Sequence, residues 1–402
     1  MNSEAIQLLQ RAAESGHVGA QSKLGTLYQD GNCVPQDYNV AEKWLKRAAE
    51  QGELNAQNRL GGLYHKTKNY IEAVKWYKKA AEQGHPLAQY NLSNCYFYGY
   101  GVQKNFYQSA EWLKKSAEQG EPSAQYNLGI HYLEGYGVSA NVDEAVKWIM
   151  RAEQNGEDIR NIQILCCIAG YWSKGKGGRI DYEEAAKWLK KILDCGDYLG
   201  AYNLGVLYLE GGHGLEKDIV KAIEFFKVAS EHNVAEAHYN LGTCYLKGLG
   251  VQKSNARAVY FFEKSISAGM ELPADMLFVI GFYYKSEVRD SGKAYNWFLK
   301  AADRGQVEAK VMLAEMYQLG DGIGKNYAKA VKFYKEVYYN SNCNDIEMEI
   351  IYTIGALYDI GGYDLTRNKE EAKKWYRLAA NKGNADARER LNQLESFWGF
   401  LC

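Results

Sequence analysis

Ala124-Gln125-Tyr126-Asn127-Leu128-Gly129-Ile130-His131-Tyr132 is the stretch from which the fold can be read. Its Ala-x3-Leu-Gly-x2-Tyr frame returns as Ala20/Leu24/Gly25/Tyr28, Ala56/Leu60/Gly61/Tyr64 and Ala237/Leu241/Gly242/Tyr245. Looser copies centre on Leu92-Ser93, Ile168-Ala169, Leu204-Gly205, Ile280-Gly281, Leu313-Ala314, Ile354-Gly355 and Leu391-Asn392. Successive copies lie roughly 37 residues apart, the length of a two-helix solenoid unit. Spacings of three, four, seven and eight gather the small and apolar residues on one helical stripe, which a unit must bury against its neighbours.

A second signature, Ala-x2-Trp-x3-Ala-Ala-x2-Gly, follows each first one, as in Ala41/Trp44/Ala48/Ala49/Gly52, Ala73/Trp76/Ala80/Ala81/Gly84 and Ala372/Trp375/Ala379/Ala380/Gly383. Seven residues before every aromatic anchor stands a short polar side chain: Asp37, Asn69, Asn105, Asn141, Asp181, Asp218, Ser254, Asp290, Asn326 and Asn368. Such residues start helices by accepting a free backbone N–H. Glu72, Gln108, Glu144, Glu184 and Glu371 stand where a reciprocal capping box would place them. Between the two signatures lies a glycine loop, Gly99-Tyr100-Gly101-Val102, Gly135-Tyr136-Gly137-Val138 or Gly248-Leu249-Gly250-Val251, where glycine supplies the positive φ that ends the first helix. The loop is shortened at Lys66–Asn69 and Ser286–Asp290, giving two units that look most like plain tetratricopeptide repeats.

The run Ala124–Gly129, then Tyr132, Gly135-Tyr136-Gly137-Val138 and Ala145-Val146-Lys147-Trp148, resembles a Sel1-like repeat, a relative of the tetratricopeptide repeat with a longer inter-helix loop. The resemblance covers essentially the whole chain. It implies an all-α, right-handed superhelical solenoid of Sel1-like, TPR-like helix pairs, one domain over 1–402. That domain comprises a half repeat at 1–16, about ten full repeats over 17–383 and a terminal helix at 384–402. Two places depart from the pattern: Gln163–Trp172 lacks the Ala and Leu-Gly anchors, and Asn342–Glu349 reads as an irregular acidic insertion.

Composition narrows the function. With a formal net charge of −1, nothing draws the whole chain to nucleic acid or to anionic membrane. Four prolines against 40 glycines exclude collagen-like chains, and the abundance of Ala, Lys and Glu excludes disordered and all-β classes. The longest apolar stretch, around Ile162–Trp172, is far below the ~20 residues that span a membrane. The eight cysteines include no C-x-x-C pair, and a reducing, cytoplasmic compartment is the simpler reading. The chain opens on a second-type helix, Ala5–Gly16, without a first helix to cover it. That points to an upstream segment, a signal peptide among the candidates, so a periplasmic or secreted location stays open.

The search for chemistry ends without a site. Seven histidines are scattered with no zinc-like spacing, so neither a metal nor a cofactor is expected. Gly320-Asp321-Gly322-Ile323-Gly324-Lys325 follows a helix instead of a strand and lacks the first glycine and the final Ser or Thr of a phosphate loop. Gly175-Lys176-Gly177-Gly178 fails in the same way. Cys95 and Cys244 fill a slot held elsewhere by Leu27, Leu63, Leu207 and Leu357, and are therefore read as core.

The face carried by the first helices is the expected binding surface, since it lines the concave side of such stacks. It offers Lys23, Arg59 and His65, then the amide and aromatic run Tyr90, Asn91, Asn94, Tyr126 and Asn127, then Tyr202, Asn203, Tyr239 and Asn240. Asp275, Glu308, Glu315, Glu349 and Asp359 follow toward the C-terminus. The asparagines either hold a peptide or tie adjacent units together, because buried amides need partners in both cases.

The leading expectation is a monomeric, non-enzymatic scaffold or adaptor that binds a protein or extended peptide along this groove, without nucleic acid or membrane insertion. The resemblance implies roles in protein quality control, cell-envelope processes or bacterial host interaction. The alternatives are a structural self-associating module and an enzyme or small-molecule binder in 162–195.

Overall fold

The computed structural model describes residues 3–175, 178–340 and 344–396, and the chain divides into two compact units, residues 1–191 and 192–402. The first unit runs α1 (Ser3–Glu14), α2 (Val18–Asp30), α3 (Tyr38–Glu50), α4 (Leu54–Lys66), α5 (Tyr70–Glu82), α6 (Pro86–Tyr98), α7 (Phe106–Glu118), α8 (Pro122–Glu134), α9 (Val142–Gln154) and α10 (Ile162–Lys174). The boundary falls within α11 (Tyr182–Asp194). The second unit continues with α12 (Leu199–Glu210), α13 (Ile219–Glu231), α14 (Ala235–Lys247), α15 (Asn255–Ser267), α16 (Ala274–Tyr283), α17 (Ser291–Asp303), α18 (Val307–Leu319), α19 (Tyr327–Asn340), α20 (Asn344–Ile360), α21 (Lys369–Asn381) and α22 (Ala385–Ser396). Even-numbered helices carry the Leu-Gly signature and odd-numbered ones the Trp signature. Among the described residues no strand occurs, only isolated bridges at Gly212–Leu215 and Gly362–Leu365.

The Leu-Gly pair has a packing reason. The residue after each aromatic anchor points from the second helix straight at the glycine of the first. A Cβ on Gly242 would stand 2.6 Å from the Phe262 ring, and one on Gly205 equally close to Phe226. Only glycine lets the two helices approach that far. The second loop glycine acts between repeats: a side chain on Gly101 or Gly137 would collide with the backbone carbonyl of Tyr70 or Phe106, at the start of the preceding second helix. The loop is thereby seated on the neighbouring repeat.

All ten expected N-caps accept a backbone N–H of the helix they open. The capping boxes do not form. The N-cap N–H instead donates across the loop to the carbonyl of the first-helix aromatic, as from Asp37 to Tyr28, Asn105 to Tyr96, Asn141 to Tyr132 and Ser254 to Tyr245. Glu72, Glu144, Glu184 and Glu371 are thus left to pair with Lys75, Lys147, Lys187 and Lys374, one turn on.

Three departures read differently in three dimensions. Gln163–Trp172 is regular helix, with Leu165, Ile168 and Ala169 buried in the signature slots. Ser286–Asp290 is no tetratricopeptide turn: Tyr284–Val288 is π-helical and Arg289 takes a left-handed φ of 60°. Asn342–Glu349 is helical from Asn344 onward, while 341–343, with Cys343, lie outside the described residues. So do Lys176 and Gly177 of the glycine-rich loop, and Cys402 with the end of the expected terminal helix. Cys95 and Cys244 are buried thiols, and burial pushes that of Cys95 up to about 12.

Candidate functional site

In the first unit α2, α4, α6 and α8 are each tied to the odd-numbered helices on either side by a glutamine. The Ala-Gln dipeptides of α2, α4, α6 and α8 place Gln21, Gln57, Gln89 and Gln125 in the interior, each about 4% exposed. Each donates to an alanine carbonyl at the end of the preceding second helix, namely Ala13, Ala49, Ala81 and Ala117. Each also accepts an amide from the residue that ends the following second helix: Gln51, Gln83, Gln119 and Asn155. Each of these helix-end carbonyls already accepts the N–H of the glycine that follows the helix, and the glutamine is a second donor that stitches three helices together. The Ala-Gln recurrence was the available sequence signal.

This ladder fixes the exposed side of the first helices, where the expected site residues lie. The residue two before the Leu of one helix bonds the residue one before the Leu of the next. Asn91 Nδ2 donates to Asn58 Oδ1 at 2.9 Å, and Asn127 Nδ2 donates to the Tyr90 hydroxyl at 3.1 Å. In the second unit Tyr202 and Asn240 are hydrogen-bonded in the same relation. These asparagines therefore tie repeats together.

The cationic members differ among themselves. Lys23 is exposed. Arg59 reaches Asp30 at 3.4 Å and Gln29 at 3.5 Å. His65 packs edge-to-face against the stacked rings of Tyr70 and Tyr100, with centroids 5.1 and 5.2 Å away. Tyr126 is half-buried, and burial followed by the Glu157 charge raises its hydroxyl pKa. Asn203 and Tyr239 are half-buried, the latter against Phe262 at 5.9 Å. Of the acidic residues, Asp359 is no groove residue: it is 3% exposed and held by Arg367 and Arg390. Glu315 is half-buried, and burial, aided by Glu349, lifts its carboxyl above the ordinary range against the pull of Lys285.

This face has a hollow of side-chain size. A cavity of about 120 Å³ between α6 and α8 is lined by Asn94, Phe97, Tyr98, Leu113, Asn127, Ile130 and His131. It brings together Asn94 and Asn127; Phe97, Tyr98, Ile130 and His131 were not singled out by sequence, because the repeat frame reads them as ordinary surface or core. No hydrogen bond occupies the Asn94 amide among the described residues. His131 Nδ1 lies 2.8 Å from the Tyr136 carbonyl. A carbonyl only accepts, so the ring proton sits on Nδ1 and Nε2 is left as an acceptor. Burial keeps this ring neutral by lowering its pKa below 6.5. The cavity thus combines a neutral amide donor, two acceptors and apolar walls, and carries no charge. Among the described residues no three His, Cys, Asp or Glu side chains converge as a metal site, and no helix is long and apolar enough to cross a membrane.

Known proteins place this architecture. The chain is 25% identical over 279 residues to the chitin synthase regulator SKT5 of Saccharomyces cerevisiae, a match covering 58% of this chain and 39% of that one. It is 38% identical over 84 residues to the ERAD-associated E3 ubiquitin-protein ligase component HRD3B of Arabidopsis thaliana, covering 21% and 13%. The chain therefore spans less than half the length of these relatives. Among solved structures, c5321, a protective antigen of uropathogenic Escherichia coli with an SLR fold, matches with a TM-score of 0.53 and 28% identity, over 97% of this chain and 90% of that one. The Sel1 repeat family model matches residues 2–17, 18–53, 54–85, 86–121, 122–156, 167–197, 199–234, 235–270, 279–306, 307–336 and 352–384. The chain belongs to the Sel1 repeat family.

Proposed function

We propose that the protein is a non-enzymatic interaction scaffold that takes an extended protein segment across the first-helix face of residues 1–191. The observation that carries this is the α6–α8 cavity, where the Asn94 amide has no partner among the described residues while Asn58, Asn91 and Asn127 are held by cross-repeat bonds. An amide without an intramolecular partner can hydrogen-bond a peptide backbone without first giving up a bond of its own. The names of the relatives, a synthase regulator and a ligase component, support an adaptor's role.

The test is a complex formed with a partner captured by the intact chain, followed by hydrogen exchange. Added protection along α4, α6 and α8, with binding weakened about tenfold by Asn94→Ala combined with Lys23→Ala, is the expected result. Protection confined to the odd-numbered helices would overturn the assignment of the face.

A further inference from the structure

We infer that the α6–α8 cavity selects an aliphatic side chain followed by an acidic residue, within an extended peptide. This rests on the proposed scaffold function and gives that face a chemical preference. Size comes first. A cavity of about 150 Å³ holds a benzene-sized molecule, so 120 Å³ takes a branched aliphatic side chain and leaves no room for an indole. Polarity agrees: the lining residues include no formal charge, and burial favours the neutral His131 ring over the opposing pull of its bond to the Tyr136 carbonyl. A lysine or glutamate side chain would lose its hydration there without gaining a counter-charge.

The rim supplies the second half of the preference. Lys104 Nζ lies 4.6 Å from the centre of the Phe106 ring and 5.9 Å from that of Phe97, which lines the cavity. It is exposed and makes no ion pair among the described residues. Held against two rings, it is a cation already ordered beside the opening, complementary to a carboxylate next to the anchored side chain. Asn94 and the Asn127 carbonyl oxygen remain for the peptide backbone between the two.

The probe is the capped peptide Ser-Gly-Leu-Glu-Gly-Ser, titrated into the full chain labelled on its Ile, Leu and Val methyl groups. Methyl shifts at Ile130 and Leu113 should saturate together. Replacing the peptide's Leu by Gly or by Trp should weaken binding about tenfold or more. Replacing its Glu by Lys should weaken it about two- to fivefold, an effect that salt removes. On the protein side, Ile130→Trp fills the cavity and should abolish the Leu113 shift, with Asn94→Ala as a second variant that leaves the packing intact. Equal affinity for all the peptides overturns the preference while leaving the scaffold reading in place. Absence of shifts at both methyl groups overturns the preference too; the scaffold reading falls separately, if partner protection lies off the first-helix face.

Discussion

The two units repeat the same backbone and join their repeats by different chemistry. In residues 1–191 the slot three before the repeat Leu is glutamine four times running, and the slot after the aromatic anchor is Leu45, Tyr77, Leu113, Ile149 or Leu189. In residues 192–402 the first slot becomes Ala201, His238, Leu277, Lys310 and Ile351, and the second becomes Phe226, Phe262, Phe298, Tyr334 and Tyr376. Phe226, Phe262 and Phe298 are fully buried. The first unit thus cross-links its helix ends by directed amide bonds. The second relies more on ring packing, with local substitutes such as His238 bonded to Ser230 at 2.8 Å and Lys310 paired with Glu336 at 2.9 Å. The first unit also carries a cation over its anchor in each repeat: Arg47 on Trp44, Lys79 on Trp76, Lys115 on Trp112, Arg151 on Trp148 and Lys191 on Trp188. A solenoid needs only that each repeat satisfy its neighbour, and either chemistry suffices.

The contrast can be broken most strongly in the second unit. Phe262→Ala removes a ring packed on Gly242 and should cost about 3–5 kcal/mol. Hydrogen exchange should rise first in α14, α15 and α16; simultaneous loss of protection throughout residues 192–402 would deny that stability is distributed by repeat.

In the first unit the corresponding test is Gln89→Ala. It takes the second donor from the Ala81 carbonyl, which keeps the Gly84 N–H, and one acceptor from the Gln119 amide, which keeps the Lys115 carbonyl, and should cost about 0.5–1.5 kcal/mol in chemical denaturation. Gln89→Leu should recover part of that loss, since α10 carries Leu165 in the same slot, fully buried. If both variants matched the parent, the ladder would be dispensable.

A smaller effect should appear with pH. Burial lowers the pKa of His131 below 6.5, so the unfolded chain binds protons more readily than the folded one. Stability from this group is full above pH 6.5 and falls as pH drops toward the depressed folded value. Melting curves should show it, and His131→Gln should flatten that part of the profile. Glu315 in the second unit acts oppositely: its raised pKa makes the folded state the better proton binder, so its contribution declines as pH rises past 4.5.

The smallest change sharpens the comparison of loops. Lys68 ends the short α4–α5 turn with a φ of 64°, a conformation that costs a residue with a Cβ roughly 1 kcal/mol relative to glycine. Lys68→Gly should raise stability by about that amount, read as a shift in the denaturation midpoint.

Recurrence alone determined the helix pairs, their order, the ten N-caps and the family. These features are local: a cap, a stripe at helical spacing and a positive-φ glycine each need only a few consecutive residues. Sequence also put Asn94 and Asn127 on first helices. It did not reveal the glutamine ladder's partners, because those lie eight residues back and about thirty residues on, across three helices. Nor did it show that Asp359 is enclosed by two arginines, or that the glutamates one turn inside the second helices pair outward instead of capping. The cavity between α6 and α8 belongs wholly to tertiary structure. Its walls come from side chains that the repeat frame treats as interchangeable, and only the approach of two first helices over Leu113 decides which atoms are left without partners.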